Sequence, residues 1–343
     1  MNLKTEITKI HYDKNAKGGL FKLLEFASFF YGIGSGLKNK FYDKGILKPK
    51  KVDAFVISVG NITTGGVGKT PVVSEIAKYF ISKGEKTAII SRGYGGKLSN
   101  KNINVISDGE NIFYNAELAG DEPYWHAKNC NNVIVITSKN RYMAAKYAVE
   151  NFKVTRIILD DGFQHRKLYR DVDIVLMDSK MGFGNEKLLP AGPLREGMEA
   201  FSRINKFVVV SKDIDHTRAE KLSKIMSKKM KVQTLVCKTE PDVVYNIKTK
   251  EVLPIGTKAT AICAIGQPEQ FYAFLKDYNI EKTVTFDDHH SYLEDEIPQG
   301  TVITTEKDAV KMQNFNRNDI YALKLKTVID VENLVNPSEN KLF

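Results

Sequence analysis

The chain has 343 residues, of which 42% are hydrophobic and 27% are charged, and this length favours about two soluble globular domains. Its cysteines, Cys130, Cys237 and Cys263, are far apart in the sequence, which excludes a disulfide framework or a Cys-x-x-Cys zinc site and fits a reducing cytoplasm. The formal net charge is +10, but no Arg-rich or aromatic-interleaved pattern indicates nucleic-acid binding.

The excess positive charge is concentrated near the N-terminus, where residues 1–52 contain eleven lysines and four acidic residues. We predict a polar, poorly ordered tail over residues 1–19. Residues 20–50 include the aromatic-rich segment Leu20–Ile33, which is too short and too often interrupted by charge to span a membrane. An amphipathic helix there, followed by lysines, can lie on an anionic membrane surface. A helix packed on the catalytic domain, with its lysines solvated, explains the pattern equally well.

A phosphate-binding loop is the most specific local pattern. The apolar run Ala54–Val59 predicts a buried strand, and the segment Pro71–Ile81 is compatible with a helix. Backbone N–H groups of a glycine-rich turn between a strand and a helix can surround a polyphosphate. Lys69 can reach the β- and γ-phosphates and Thr70 can ligate Mg²⁺. The predicted nucleotide-binding residues are Thr63, Thr64, Gly65, Gly66, Val67, Gly68, Lys69 and Thr70.

This loop departs from the usual Gly-x4-Gly-Lys-[Ser/Thr] pattern at one position. The first glycine is replaced by Thr63, and the pair Gly65 and Gly66 supplies the flexibility. With a strand before it and a helix after it, we interpret the loop as a nucleoside triphosphate site.

Short β-branched runs alternate with helical segments along the remaining chain. This alternation predicts an α/β fold with a mostly parallel sheet of the P-loop NTPase type, a second, smaller α/β domain and an N-terminal amphipathic helix. We place the phosphate-loop domain at residues 51–204 and the smaller domain at residues 205–343. The predicted strands are Lys86–Ile90, Val133–Thr137, Arg156–Leu159, Asp173–Met177, Lys206–Val210, Thr234–Cys237, Ala259–Ile265, Val302–Thr304 and Asp319–Leu323.

Acidic residues at predicted strand ends are candidates for magnesium binding, because Mg²⁺ needs a carboxylate opposite Thr70. Asp160 and Asp161 are favoured, since the sequence Gly-Phe-Gln-His follows them directly. We interpret Asp178 as a helix N-cap. Asp121 and Glu122 can begin a helix, with Asp121 as its N-cap, and can also take part in chemistry.

A further polar cluster, Asp-Asp-His-His, occupies residues 287–290. Neighbouring histidines point in different directions, and no third ligand follows at helical spacing. Proton transfer by a carboxylate–imidazole pair therefore fits this cluster better than metal binding. The segment that begins at Thr304 has the pattern of an N-capped amphipathic helix.

Taken together, these segments resemble the tetraacyldisaccharide 4'-kinase family over nearly the whole chain. The segments that carry the resemblance are Gly60–Pro71, Ser91–Gly95, Gly120–Pro123, Asp160–His165, Leu189–Glu196, Asp288–His289 and Glu306–Val310.

The resemblance implies transfer of the ATP γ-phosphate to the 4'-hydroxyl of a tetraacylated glucosamine disaccharide 1-phosphate, with ATP and Mg²⁺. It implies a smaller domain that closes over the active site and an anionic glycolipid as partner. It also implies a peripheral enzyme on the cytoplasmic face of the bacterial inner membrane, with residues 20–50 as a membrane-docking segment. No obligate protein partner is indicated.

Residue roles follow from the resemblance. Lys69 and Thr70 bind the phosphates and Mg²⁺, and Asp121 resembles the carboxylate that accepts the sugar hydroxyl proton, assisted by His289, which Asp288 orients. The other implied residues are Glu122, Asp160 and Asp161 for Mg²⁺ and its water, and Arg92, Gln164 and His165 near the phosphates or the sugar.

Two other nucleotide-binding classes compete with the kinase interpretation. A membrane-associated ATPase of the partitioning type has Lys-Gly-Gly-x-Gly-Lys-Thr in its loop, and this chain has Thr64 in place of the first lysine. A GTPase or metallochaperone is disfavoured because no clear Asn-Lys-x-Asp motif is present. ATP hydrolysis without an acceptor distinguishes the partitioning ATPase from the kinase.

Overall fold

The computed structural model describes residues 3–99, 102–265, 268–287 and 290–336. The chain divides into two compact units, of which the first comprises residues 1–211, 217–237 and 329–343 and the second comprises residues 212–216 and 238–328. The predicted boundary at residue 205 therefore differs from the observed division, because the strand and helix that follow it belong to the first unit. Closure of the smaller domain over the active site stays a prediction.

The first unit is built on a seven-stranded, mostly parallel sheet in the order β7-β6-β1-β5-β2-β4-β3, with only β3 antiparallel to its neighbour. Its elements, in chain order, are α1 (Leu3–Tyr12), α2 (Gly19–Asp43), β1 (Phe55–Asn61), α3 (Lys69–Ser82), β2 (Thr87–Ser91), β3 (Asn104–Asp108), α4 (Ala116–Ala119), α5 (Asp121–Asn129), β4 (Ile134–Thr137), α6 (Arg141–Phe152), β5 (Arg156–Asp160), β6 (Val172–Asp178), β7 (Lys206–Ser211) and α7 (Thr217–Met230).

Apolar residues cover this sheet on both faces, as the continuous β-branched runs predict. On one face, Val72 and Ile76 of α3 pack against Ile57 and Ile158. On the other face, Ala144 and Ala148 of α6 belong to the cluster formed around the central strands. The predicted phosphate-loop α/β fold is confirmed, and the carboxyl end of β1 leads directly into the loop.

The second unit is a smaller α/β unit with strand order β10-β9-β11-β12-β8, in which β8 is antiparallel to β12 and the other pairs are parallel. Its elements are β8 (Gln233–Asn246), which begins in the first unit, β9 (Lys258–Cys263), α8 (Pro268–Phe274), β10 (Asn279–Thr285), β11 (Val302–Thr305), α9 (Glu306–Met312) and β12 (Ile320–Val328). The helix α10 (Val331–Val335) follows and belongs to the first unit.

The N-terminal region is more ordered than the sequence predicts. The expectation of a poorly ordered tail over residues 1–19 is wrong for Leu3–Tyr12, which form α1. The reason lies in the tertiary structure, because His11 at the end of α1 is only 8% exposed. The burial of one residue in a polar segment cannot be predicted from the local sequence.

The helix α2 packs on the first unit, as one of the two alternatives from the sequence predicts, and docking on a membrane surface stays a prediction. Its Ser28 hydroxyl donates to the Leu188 carbonyl at 2.8 Å, and its Asn39 amide donates to Glu196 at 2.9 Å. One face of α2 therefore packs on the first unit. The helix also exposes a set of large apolar side chains: Leu23, Phe26, Phe29, Phe30, Ile33, Leu37 and Phe41. Among the described residues, no helix is long and apolar enough to cross a membrane.

The close contact between β1 and the turn after β5 leads to a first prediction. A Cβ atom on Gly60 would lie 2.6 Å from Cβ of Phe163, which is fully buried. We expect Gly60→Ala to destabilise the protein by about 1–3 kcal/mol, because the packed ring cannot move aside. The measurement is a shift of the urea unfolding midpoint. Gly34→Ala in α2 is the matched control, since nothing lies within 4 Å of its Cβ position; equal midpoints for the two variants would contradict the prediction.

Candidate active site

The phosphate loop connects β1 to α3 through a short glycine-rich turn. Gly65 and Gly68 have φ values of 108° and 87°, in the left-handed region that favours glycine. Gly68 is the N-cap of α3, and Lys69 is the first residue of that helix. Oriented backbone N–H groups and the positive end of a helix dipole meet at this point, which is the physical requirement for binding phosphate.

The part of the loop that lacks glycine is held by a neighbouring segment. Thr63 forms an antiparallel β-bridge with Leu194, a conformation that does not require glycine. The N–H of Thr64 donates to the Pro193 carbonyl at 2.8 Å, and the N–H of Arg195 donates to the Ile62 carbonyl at 2.7 Å. The missing first glycine is therefore explained by β-type pairing between residues 62–64 and 193–195.

Charged groups meet directly beneath the loop at Asp161. Lys69 Nζ lies 3.5 Å from Asp161 Oδ1, and Arg195 Nη1 donates to both carboxylate oxygens, at 3.0 and 2.8 Å. Burial opposes ionisation of Asp161, but the charges of Lys69 and Arg195 outweigh it and keep the pKa of this carboxyl below its usual value. Asp161 is thus an ionised anchor for the two cations.

The amide side chains of Asn61 and Gln164 complete the surroundings of Lys69. Lys69 Nζ donates to Asn61 Oδ1 at 3.1 Å, and the Gln164 side-chain amide donates to the Asn61 carbonyl at 3.1 Å. Lys38 of α2 donates to the Gln164 carbonyl at 3.0 Å. These contacts place the end of β1, the turn after β5 and the helix α2 around one lysine.

Asp160, the last residue of β5, points its carboxylate to a different set of partners. Its Oδ2 lies 3.0 Å from Nε2 of His126, whose Nδ1 is 2.9 Å from the Ser74 hydroxyl. His126 and Ser74 are fully buried, and Asp160 is 1% exposed. Burial alone would lower the pKa of His126, but the hydrogen bond to Asp160 and the nearby Cys130 raise it to about 9. This chain of contacts joins β5 to α3 and α5.

The helix α5 begins at the predicted acidic pair. Asp121 is its first residue and Gly120, with φ of 94°, is the N-cap, so the cap is one residue earlier than predicted. Both acidic side chains are exposed to solvent. Partial desolvation, followed by the charge of Asp160, raises the pKa of Glu122 above its usual value. Because His126 of the same helix contacts Asp160, the start of α5 has a defined position relative to β5.

The glycine-rich turn after β2 packs against the start of α5. A Cβ on Gly96 would lie 2.5 Å from the carbonyl carbon of Ala119, so only glycine permits this approach. Arg92 in this turn is exposed to solvent. The turn therefore lies beside the acidic pair.

His165 lies in the turn after β5 and has an unusual environment. Its Nε2 is buried without a hydrogen-bond partner. Burial, followed by the charges of Arg141 and Arg170, lowers the pKa of His165 to about 4. The imidazole is therefore neutral at physiological pH and can accept or donate one hydrogen bond at that nitrogen.

Other predicted residues have mixed outcomes. Asp288 and His289 lie outside the described residues. Asp178 caps a turn instead of a helix, since its Oδ1 accepts from the N–H groups of Lys180 and Met181 at 2.9 and 3.1 Å. Thr305 is the N-cap of α9, in agreement with the amphipathic helix predicted there.

Sequence reasoning gave no role to His126, Asn61 or Arg195. His126 could not be recognised, because a single histidine within a helix matches no functional motif. Arg195 belongs to the Leu189–Glu196 segment that supports the family resemblance. Its place in this segment was the signal by which the sequence could have identified it as a functional residue. Asn61 directly precedes the phosphate loop, where an amide can orient Lys69.

The donor set fits magnesium bound largely through phosphates. Among the described residues, no group of three or more His, Cys, Asp or Glu side chains forms a metal cluster. Mg²⁺ at nucleotide sites typically uses one or two protein ligands plus phosphate oxygens and water. Asp160 Oδ1 is buried without a hydrogen-bond partner, and Thr70 occupies the first turn of α3. Asp161 fits less well, because both of its oxygens accept hydrogen bonds from Arg195.

Residues 20–340 match the sequence model of the tetraacyldisaccharide-1-P 4'-kinase family. The chain belongs to this family. It is 37% identical over 326 residues to a tetraacyldisaccharide 4'-kinase of Desulfotalea psychrophila, covering 89% of this chain and 92% of that protein. A tetraacyldisaccharide 4'-kinase of Halothermothrix orenii is 37% identical over 333 residues, covering 87% of this chain and 84% of that protein.

The fold is similar to a solved structure of the same kind. The crystal structure of LpxK from Aquifex aeolicus in complex with ATP matches with a TM-score of 0.72 and 32% sequence identity, over 93% of this chain and 98% of that one. The resemblance inferred from the motifs is thereby confirmed. The helix α1, however, precedes the residues that match the family.

The buried pair of His126 and Asp160 predicts a pH-dependent stability. The folded-state pKa of about 9 lies above the ordinary value of 6.5, so this contribution is complete below pH 6.5 and is lost as the pH rises through 9. We expect the unfolding free energy without nucleotide or metal to fall by on the order of 3 kcal/mol across this interval. Urea titrations at several pH values measure it, with His126→Gln as the comparison. The variant should show a flatter pH profile; parallel profiles would contradict the assignment.

Proposed function

We propose that this chain is an ATP-dependent kinase that transfers the γ-phosphate to the 4'-hydroxyl of a tetraacyldisaccharide 1-phosphate, a step of lipid A biosynthesis. The family membership carries this proposal, and the phosphate loop with Lys69 beside Asp161 supports it. A partitioning-type ATPase is disfavoured by the same family membership and by Thr64, which stands where that class has a second lysine.

In the proposed reaction, the nucleotide phosphates bind residues 63–70. Backbone N–H groups at the start of α3 and the Lys69 ammonium stabilise the negative charge, and Lys69 exchanges its contact with Asp161 for one with phosphate. Arg195 remains to neutralise Asp161. Magnesium, when bound, neutralises charge on the phosphates; Thr70 and Asp160 would hold it, with Glu122 as a further candidate through water.

The acceptor chemistry is assigned to the start of α5. Asp121 accepts the proton of the sugar hydroxyl while the hydroxyl oxygen bonds to the γ-phosphorus. The bond between the γ-phosphorus and the oxygen that bridges it to the β-phosphate breaks, and ADP leaves. His289, oriented by Asp288, assists this proton transfer. The His126–Asp160 contact fixes the helix that carries the base relative to the end of β5, where Asp160 would hold magnesium.

Three polar residues are candidates for binding the acceptor or the transferred phosphate. Arg92 is exposed beside the start of α5, and Gln164 lies within hydrogen-bonding distance of the phosphate-loop entrance. His165 is neutral, and its buried Nε2 has no hydrogen-bond partner. As a donor, this nitrogen can bind a hydroxyl or phosphate oxygen. We assign binding of the sugar phosphates to Arg92, Gln164 and His165.

The helix α2 is proposed to place the enzyme on the cytoplasmic face of the inner membrane as a peripheral protein. Its exposed aromatic face supplies apolar area and the lysines that follow it attract anionic lipid. Its contacts through Ser28 and Asn39 connect that face to the first unit. An anionic glycolipid could then reach the active site without leaving the membrane surface.

Phosphate transfer from labelled ATP to a tetraacyldisaccharide 1-phosphate in detergent micelles tests the proposed activity. We expect Asp121→Asn and His289→Ala each to lower kcat by about 10²–10⁴-fold while ATP affinity changes little, because a general base acts on the acceptor proton. Lys69→Ala should abolish labelling.

The matched control for Asp121→Asn is Glu117→Gln in α4, the helix that precedes α5. This variant alters an exposed ion pair between Glu117 and Lys97 and should leave kcat within about twofold of the wild-type value. Release of free phosphate without labelled lipid would overturn the kinase assignment. Loss of ATP affinity in Asp121→Asn would overturn the role of that carboxylate.

Co-sedimentation with vesicles tests the role of α2. The triple variant of Leu23, Phe26 and Phe30 to serine should lower binding to vesicles containing phosphatidylglycerol by about tenfold or more, because each side chain loses apolar burial in the interface. The control changes three exposed apolar residues of the second unit to serine: Val252, Ile255 and Val310. Equal binding by both variants would contradict membrane docking through α2.

A further inference from the structure

The helix α1 lies outside the family match, which begins at residue 20, yet it makes specific contacts with the first unit. His11 Nε2 lies 2.9 Å from the Pro190 carbonyl oxygen. Asn185 donates twice to the end of α1, from its side-chain amide to the Ile10 carbonyl at 2.9 Å and from its N–H to the His11 carbonyl at 2.8 Å. These contacts bury His11 and fix the end of α1 on the first unit.

The receiving surface is shaped for this helix end. Gly184 has φ of 62°, and a Cβ atom there would lie 2.4 Å from the His11 carbonyl oxygen and 2.7 Å from the ring of Pro193. Only glycine allows the backbone of α1 to approach so closely. The Asn185 side chain also donates to the Ala191 carbonyl at 2.9 Å. The segment that pairs with the phosphate loop is thus the same segment that receives α1.

Tyr12, the last residue of α1, reaches the phosphate loop itself. Its hydroxyl donates to the Thr64 carbonyl at 3.3 Å and lies 3.6 Å from the Cβ position of Gly65. The N–H of Thr64 is taken by Pro193 at 2.8 Å. Both backbone polar groups of Thr64 are therefore bonded to protein, immediately before the exposed pair Gly65 and Gly66.

A glycine pair at the turn of a phosphate loop has a large conformational freedom to lose when ligand binds. Contacts that already restrict the preceding residue lower that cost and strengthen binding. Burial, followed by the charge of Asp178, raises the pKa of Tyr12 above its usual value, so the phenol keeps its proton and remains a donor.

We propose that α1 is a positioning element of the nucleotide site, in which Tyr12 holds Thr64 in the phosphate-binding conformation and His11 anchors the helix at Pro190. This role rests on the proposed binding of a nucleoside triphosphate at residues 63–70. In this role, residues 3–12 affect the affinity for nucleotide and do not affect the affinity for the lipid acceptor.

The first test removes single polar groups from the full chain. Tyr12→Phe deletes one hydroxyl, and His11→Phe deletes the ring donor while it keeps a buried aromatic ring. Calorimetric titration with MgADP and steady-state kinetics with ATP measure the effect. We expect each variant to weaken nucleotide binding and to raise KM for ATP by about 3- to 10-fold, the usual range for one hydrogen bond. The kcat and the KM for the lipid acceptor should stay within about twofold.

The matched control is Tyr147→Phe in α6, where the ring packs on Phe152 at 6.1 Å, and this variant should bind MgADP as the wild type does. Hydrogen exchange of residues 62–68 supplies a second readout, and it should be faster in Tyr12→Phe but not in Tyr147→Phe. Unchanged MgADP affinity in Tyr12→Phe, with normal binding by the wild type, would overturn the role of α1 alone. Failure of the wild type to bind MgADP, or unchanged binding in Lys69→Ala, would overturn the proposed function as well.

Discussion

Two adjacent carboxylates at the end of β5 support the rest of the site. Asp160 contacts His126 in the interior, and Asp161, whose φ is 56°, turns to contact Lys69 and Arg195. Removing either carboxylate would leave a cation without its partner in a desolvated place, which is costly. The strand β5 therefore ends in two carboxylates whose charge pairs connect it to α3, to α5 and to the segment that contains Arg195.

This arrangement explains how a phosphate loop without its first glycine can still be well defined. Residues 62–64 behave as a short strand paired with residues 193–195, so the loop begins with β geometry and turns only at Gly65. Arg195 continues the same segment and neutralises Asp161. Backbone pairing and charge pairing thus reinforce one another, and Lys69 has an acceptor before any phosphate arrives.

The sequence predicted the strands that carry apolar, β-branched runs, and most observed bounds differ by a few residues. The exceptions are β8 and β12, which continue to Asn246 and Val328, beyond the predicted ends at Cys237 and Leu323. It did not predict β3 or β10, in which polar residues interrupt the apolar pattern; most residues of β10 are exposed. The helix α7 was also missed, although Ala219, Leu222, Met226 and Met230 recur at helical spacing and pack in one core cluster. The tail over residues 1–19 was misjudged because α1 is held by hydrogen bonds to distant backbone groups, and no local pattern encodes them.

By itself, the sequence determined the phosphate loop, the acidic pair at the end of β5, the acidic pair at the start of α5 and the family, because these depend on residue type and short spacing along the chain. Only the tertiary structure decided which carboxylate faces the cations and which faces His126, since neighbouring residues leave a strand in opposite directions. It also decided that Arg195 and Tyr12 belong beside the loop. Contacts between residues separated by dozens of positions arise from how the strands are ordered in the sheet, and local sequence carries no record of that order.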